Sequence, residues 1–251
     1  MLDAASKMAD TVGGALEEAV GIIRDVEVDN GYKYLAKTLL GKTSTSFKAL
    51  RMLCSAGYGA DAFMLLRTVF ESGVNLAYVG KDPDARATQY LDYAYVENHK
   101  LMDSLIRYTP GKQPPDAIIK KANEDWERVK GQYGGGWTKA SLETRACECG
   151  WGAQYALIYR FASTLSHAGA SSAPVYMVVA ENGFHLRDEE SDQQLVAEAL
   201  LGSIGTVYLT VKEVYRAFGV PLPERFLESQ HVLQRVMMEE WHSYSQQVKQ
   251  L

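Results

Sequence analysis

Basic charge is scarce in this chain. Its 26 lysines and arginines are outnumbered by 31 aspartates and glutamates, leaving a net charge of −5. A surface that holds nucleic acid through its general field needs the opposite balance, so general DNA binding is not expected, although a local basic pocket remains open. Cysteine is equally sparse: Cys54, Cys147 and Cys149, an odd number that suits no disulfide framework. The N-terminal segment sets Asp3, Lys7 and Asp10 among apolar residues, which does not read as a signal peptide. The expectation is a reduced, cytoplasmic setting. Cys147-Glu148-Cys149 lacks a second cysteine pair, so no zinc site is expected, nor any other metal or cofactor. No uninterrupted apolar run approaches the ~18 residues that span a bilayer, so no membrane partner is expected. Internal repeats, low-complexity stretches, a nucleophile elbow, a dinucleotide fingerprint and a metalloprotease helix are all missing. Lys42-Thr43 follows the lone Gly41, without the second glycine or the preceding strand of a phosphate loop.

What the chain does have is enough apolar residue for a sizeable core: 47% hydrophobic against 23% charged over 251 residues. Its apolar spacing is helical almost throughout. Residues 3–28 place Val12, Leu16, Val20 and Ile23 on one face, weakened by Gly13-Gly14, and Asn30-Gly31 breaks the segment. Residues 32–56 carry a second stripe through Leu35, Leu39, Phe47 and Leu50, with an interruption expected at Gly41-Lys42-Thr43-Ser44. A helix from about Asp61 to Val79 is apolar nearly all round and therefore central. Asp82-Pro83-Asp84 opens the next, and residues 116–131 form a polar amphipathic helix before Gly134-Gly135-Gly136. Val175 to Val179 and Asn182-Gly183 are the sole β signal, a ribbon or arm at 175–187 that suits a dimerisation or lid element. Residues 189–218 return to helix, and 224–249 make a polar terminal one. The reading is one all-α domain, a multi-helix bundle of about seven to nine helices. Its parts are an N-terminal helix at 1–30, a core bundle at 32–219 and a C-terminal helix at 224–251.

The stretch around which this bundle is organised runs from Gly150 to His167. As one α-helix it buries Tyr155, Ile158, Tyr159, Ala162 and Leu165, with small residues in the gaps. Arg160 and His167 are seven residues apart, nearly two turns, and share a side. Tyr155, Tyr159, Ser163 and Ser166 form a neighbouring polar row. An unpaired buried polar group costs about 1–3 kcal/mol, so these groups need partners. On the central helix, Arg67 and Glu71 are four apart with Asn75 one turn on. They fit a structural ion pair buried between helices or a ligand contact. The expectation is that Arg67, Glu71 and the 163–167 segment converge.

Two segments together, Leu66-Arg67-(x3)-Glu71-(x3)-Asn75-(x2)-Tyr78 and Tyr155-(x3)-Tyr159-(x3)-Ser163-(x2)-Ser166-His167, resemble a widespread bacterial all-helical family known only as a domain of unknown function. The resemblance spans roughly residues 35–215 and implies a helical fold with Arg67, Glu71, Ser163, Ser166 and His167 close together. It implies no reaction. Arg160-(x6)-His167 is also similar to the arginine–histidine signature of the HEPN superfamily of helical nucleotide-binding and ribonuclease domains. That resemblance implies an arginine stabilising phosphate charge, a histidine working near the ribose 2′-hydroxyl, no metal, and a site across a homodimer interface. Phe161 departs from the polar residue that often follows the arginine there. The same spacing recurs at Arg225/His231 and Arg235/His242, but in the polar terminal segment. Of the other histidines, His99 reads as a satisfied core residue and His185 falls in the ribbon. His231 and His242 read as solvent-facing.

Two functions follow as expectations. The first is a HEPN-like, metal-independent endoribonuclease or RNA-binding protein in a toxin or defence setting, with Arg160 and His167 catalytic. The second is a non-enzymatic protein that binds a small ligand or protein partner in a polar pocket between the Arg67 and His167 helices. Arg67, Glu71, Asn75, Tyr159, Ser163 and Ser166 are its binding residues.

Overall fold

The computed structural model describes residues 2–109, 111–167, 170–180, 183–186, 193–223 and 226. Among these, the chain is an all-α bundle with one small β-ribbon. Three long helices open it: α1 (Leu2–Arg24), α2 (Gly31–Ser55) and α3 (Gly59–Val79). The Asn30 side chain caps α2 by accepting from the Lys33 amide at 2.9 Å. No interruption occurs at Gly41-Lys42-Thr43-Ser44, contrary to the sequence reading. Leu39, Leu40, Thr43 and Phe47 are all buried on one face, and that packing outweighs the modest helix cost of one glycine. In α1, Gly13 is a packing device: a Cβ there would lie 2.7 Å from an Arg51 guanidinium nitrogen, and Arg51 crosses that gap to pair with Asp10.

Helix α3 is the axis of the domain. Its Leu66, Val69, Phe70, Val74, Leu76 and Val79 are fully buried, and burial of side chains this size contributes about 1.5–3 kcal/mol each. Helix α10 (Gln193–Phe218) lies against α3, α2 and α1. By length and composition α10 is apolar enough to cross a bilayer, but 78% of its most apolar window is buried inside the bundle. Close approach needs small residues: a Cβ on Gly59 would stand 2.8 Å from the Val196 backbone nitrogen, and one on Gly202 the same distance from Leu66.

Helices α4 (Pro83–Tyr108) and α5 (Asp116–Val129) form a hairpin on the flank. His99 stacks on Trp126 at 4.9 Å with rings 3° apart, its Nε2 lies 3.6 Å from Asp103, and its buried Nδ1 has no partner. It is therefore a half-satisfied aromatic contact rather than a satisfied core histidine. After α6 (Leu142–Glu148) the organising stretch follows, and it is not one α-helix. A short α7 (Gly152–Gln154) leads into a π-helical turn at Tyr155–Tyr159, and α8 (Arg160–Ser166) resumes the ordinary pitch. Beyond a 3-10 turn at Ala170–Ser172 and a short α9 (Ala173–Tyr176), strand β1 (Met177–Ala180) pairs antiparallel with β2 (Gly183–Leu186). The ribbon is where the sequence placed it. Its last pair, Ala180 with Gly183, leaves two residues for the turn, and Gly183 has a φ of 122°, open to glycine. The C-terminal helix expected at 224–251 lies, except for Phe226, outside the described residues, as do Arg225, His231, Arg235 and His242. Phe226 is buried and stacks on Tyr208 at 4.4 Å.

Candidate functional site

The α7–π–α8 segment runs antiparallel to α3, and three ring contacts set the register. Phe63 meets Phe161 edge-on at 5.0 Å, Phe70 meets Tyr159 at 5.8 Å, and Phe70 meets Trp151 at 5.9 Å. Trp151 fits there because residue 73 is glycine: a Cβ would sit 2.8 Å from its ring. This register places Glu71 level with the start of the segment and His167 beyond its far end. At 1.5 Å per residue the two are about 20 Å apart along the helix direction. The expected convergence of Arg67, Glu71 and residues 163–167 therefore does not occur. Antiparallel packing brings the middle of α3 to Tyr159 and Trp151, not to the Ser-His end.

Four of the predicted residues do come together, in a cluster that also recruits α4 and α6. Arg67 donates from Nη2 to the Tyr159 hydroxyl at 3.0 Å and places its guanidinium carbon 5.1 Å from that ring. Its Nε is buried without a partner. No Arg67–Glu71 ion pair forms among the described residues, because Arg67 reaches across to the π turn while Glu71 faces Arg145 of α6. Arg145 hydrogen-bonds the Asn75 amide oxygen, donates weakly from Nε to the Ser141 carbonyl at 3.4 Å, and lies 5.2 Å from the Trp137 ring centre. Burial pulls the Arg145 guanidinium below its ordinary value, and the Glu71 carboxylate works against that shift. The Tyr90 hydroxyl of α4 is hydrogen-bonded to Asn75, and burial raises its ordinary value. Trp137, Tyr78 and Tyr90 wall this cluster with edge-on ring contacts of 5.8 and 5.0 Å.

Sequence reasoning overlooked Arg145, Tyr90 and Trp137. Arg145 sits in a seven-residue helix too short for any periodic signal. Its one flag is the capping serine Ser141, whose hydroxyl accepts from the Thr144 amide.

Arg160, Ser163, Ser166 and His167 occupy a second place, on α8. Arg160 and His167 are exposed and share a face, since the segment between them is regular α-helix. Ser166 returns its hydroxyl to the Ala162 carbonyl at 2.8 Å, an ordinary in-helix bond. Ser163 is half-buried, and its carbonyl accepts from the His167 amide at 3.1 Å. Tyr155 stacks on Tyr159 at 5.3 Å inside the π turn, which breaks the four-residue polar row expected of a continuous α-helix. Among the described residues no group of three or more histidine, cysteine, aspartate or glutamate side chains is arranged to hold a metal. Burial pushes the Cys54 thiol up to about 11, far from a reactive thiolate.

An α-helical bundle with a guanidinium-rich polar layer sealed by aromatic rings, and a separate arginine–histidine face, is the class of protein that the fold and its polar groups define. The chain belongs to the family of unknown function DUF5677, whose profile matches residues 33–185. The match takes in α2, α3, both polar groups and the ribbon, and it stops short of α10, which the sequence resemblance had included. No curated protein and no solved structure matches the chain.

Proposed function

We propose that this protein binds RNA and cleaves it without a metal ion, with Arg160 and His167 of α8 as the working pair, in a toxin or defence setting within the cytoplasm. One observation carries the reading: both side chains are exposed on the same face of one helix, seven residues apart, and neither has a side-chain hydrogen bond or ion pair among the described contacts. An idle imidazole beside an idle guanidinium is the arrangement that proton transfer at a phosphodiester needs. A histidine titrates near neutral pH, and a guanidinium fork matches phosphate oxygens.

In the proposed step the ribose 2′-oxygen bonds to phosphorus as the bond to the 5′-oxygen breaks. The 2′-hydroxyl proton leaves through an imidazole, and the 5′-oxygen gains one from an imidazole. Arg160 stabilises the charge on the non-bridging oxygens. A homodimer that brings two His167 side chains to one groove supplies the base and the acid together.

The test is single-stranded RNA cleavage by the purified chain with EDTA present. Cleavage is expected in the wild type and unaffected by the chelator. It is abolished in His167→Ala and reduced in Arg160→Lys, because a point charge cannot reproduce the fork. As His167 is exposed, its loss is expected to change stability by no more than about 0.5 kcal/mol, so lost cleavage reports chemistry rather than unfolding. A wild type that leaves RNA intact ends this reading.

A further inference from the structure

Independently of RNA cleavage, the cluster between α3, α4, α6 and the π turn has unbalanced charge. Two half-buried guanidinium groups, Arg67 and Arg145, share one carboxylate, Glu71. Their hydrogen-bond partners are neutral: the Tyr159 hydroxyl for Arg67, and the Asn75 amide oxygen with the Ser141 carbonyl for Arg145. Glu97 and Glu143 act at longer range on Tyr90 and Tyr155 from exposed positions. Two more charges nearby are already engaged, Arg86 lying over the Tyr78 ring at 3.7 Å and reaching Glu148 at 3.8 Å. Arg67 also keeps a buried Nε without any partner. Partial burial makes an uncompensated cation costly, and a guanidinium in such a place gains most from an oxyanion that accepts two parallel hydrogen bonds.

We propose that Arg67 and Arg145 form a binding site for a small oxyanion, the phosphate or carboxylate group of a ligand, with Tyr159, Asn75 and Tyr90 positioning the two forks and Glu71 limiting the affinity. The anion supplies the second negative charge that the cluster lacks and a partner for the idle Arg67 Nε. Because Tyr159 belongs to the π turn, occupancy also steadies the segment that leads into Arg160.

The experiment is a thermal-shift and calorimetric titration of the full chain with inorganic phosphate and, separately, with acetate, at ionic strength held constant with chloride. Binding by either anion is expected, and the arm that shifts the melting temperature further identifies the ligand group. Arg67→Gln is expected to weaken that binding about tenfold, the loss of one charge-assisted pair. Glu71→Gln is expected to strengthen it, since it removes the one opposing charge without emptying the space. Opposite effects of these two variants cannot arise from general destabilisation. Neither anion shifting the wild type beyond chloride overturns the site, as do equal affinities in wild type and both variants. RNA cleavage is not read in this experiment, so its outcome and that of the ribonuclease test stand apart.

Discussion

Arg67 and Tyr159 touch across two antiparallel segments, the guanidinium donating to the phenolic hydroxyl at 3.0 Å while lying 5.1 Å from the centre of the same ring. One tyrosine thus meets the arginine twice, through its oxygen and through its π system. Replacing Tyr159 by phenylalanine keeps the ring and removes the acceptor. With Nε already lacking a partner, a second donor is left idle, and the expected cost is about 1–2 kcal/mol in denaturant unfolding. An unchanged midpoint would show that the hydroxyl contact contributes nothing.

Two glycines should respond to alanine with opposite signs. Gly14 is exposed in the middle of α1 with open space where a Cβ would go, so Gly14→Ala should stabilise by up to about 1 kcal/mol through helix propensity alone. Gly59 opens α3 against α10, where a Cβ would stand 2.7–2.9 Å from Leu195 and the Val196 backbone nitrogen. Backbone cannot swing aside as a side chain can, so Gly59→Ala should destabilise by about 1–3 kcal/mol. Paired melting curves check both, and the same sign for both would contradict this packing.

Glu213 on α10 gives a pH dependence. Its side chain is 17% exposed, and burial raises its carboxyl above the ordinary value although Arg216 lies 2.5 Å away and pulls the other way. An acid whose folded value is raised favours the fold when protonated. Its stabilising contribution is complete below the unfolded value, near 4.5, and is lost as pH climbs through the folded value. Glu213→Gln should therefore melt higher than wild type at neutral pH, with the gap closing as the pH falls below 4.5. A gap that widens on acidification would reverse the sign argued here.

Much of the fold is written in the sequence because apolar spacing carries it. The long helices α2, α3, α4 and α10 fall within a few residues of their expected limits, and Asn182-Gly183 marked the ribbon through turn chemistry alone. The site was legible only in part. Arg67, Asn75 and Tyr159 stood out as polar groups on apolar helices, and the structure gives them partners. That Glu71 faces Arg145, and not residues 163–167, depends on the antiparallel register of two helices, which ring contacts such as Phe63 with Phe161 decide and no local pattern encodes. The π turn was invisible for a similar reason: Tyr155-Ala156-Leu157-Ile158-Tyr159 has no composition that forbids the α pitch, and only anchoring at both ends demands the wider one.

That anchoring has a consequence for insertions and deletions. Trp151 is seated over Gly73 and Phe161 against Phe63, so the segment between them is clamped at both ends. The π turn absorbs a surplus residue within this fixed span, at the exposed Ala156 and Leu157. Deleting one of those two would restore the α pitch at little cost in buried surface, yet it would rotate Trp151 relative to Arg160 by about 100°. Either the tryptophan leaves its glycine or the Arg160–His167 face turns away from its present direction. The surplus residue thus works as a phase shifter, setting how the exposed face of α8 is aimed relative to the buried cluster behind it.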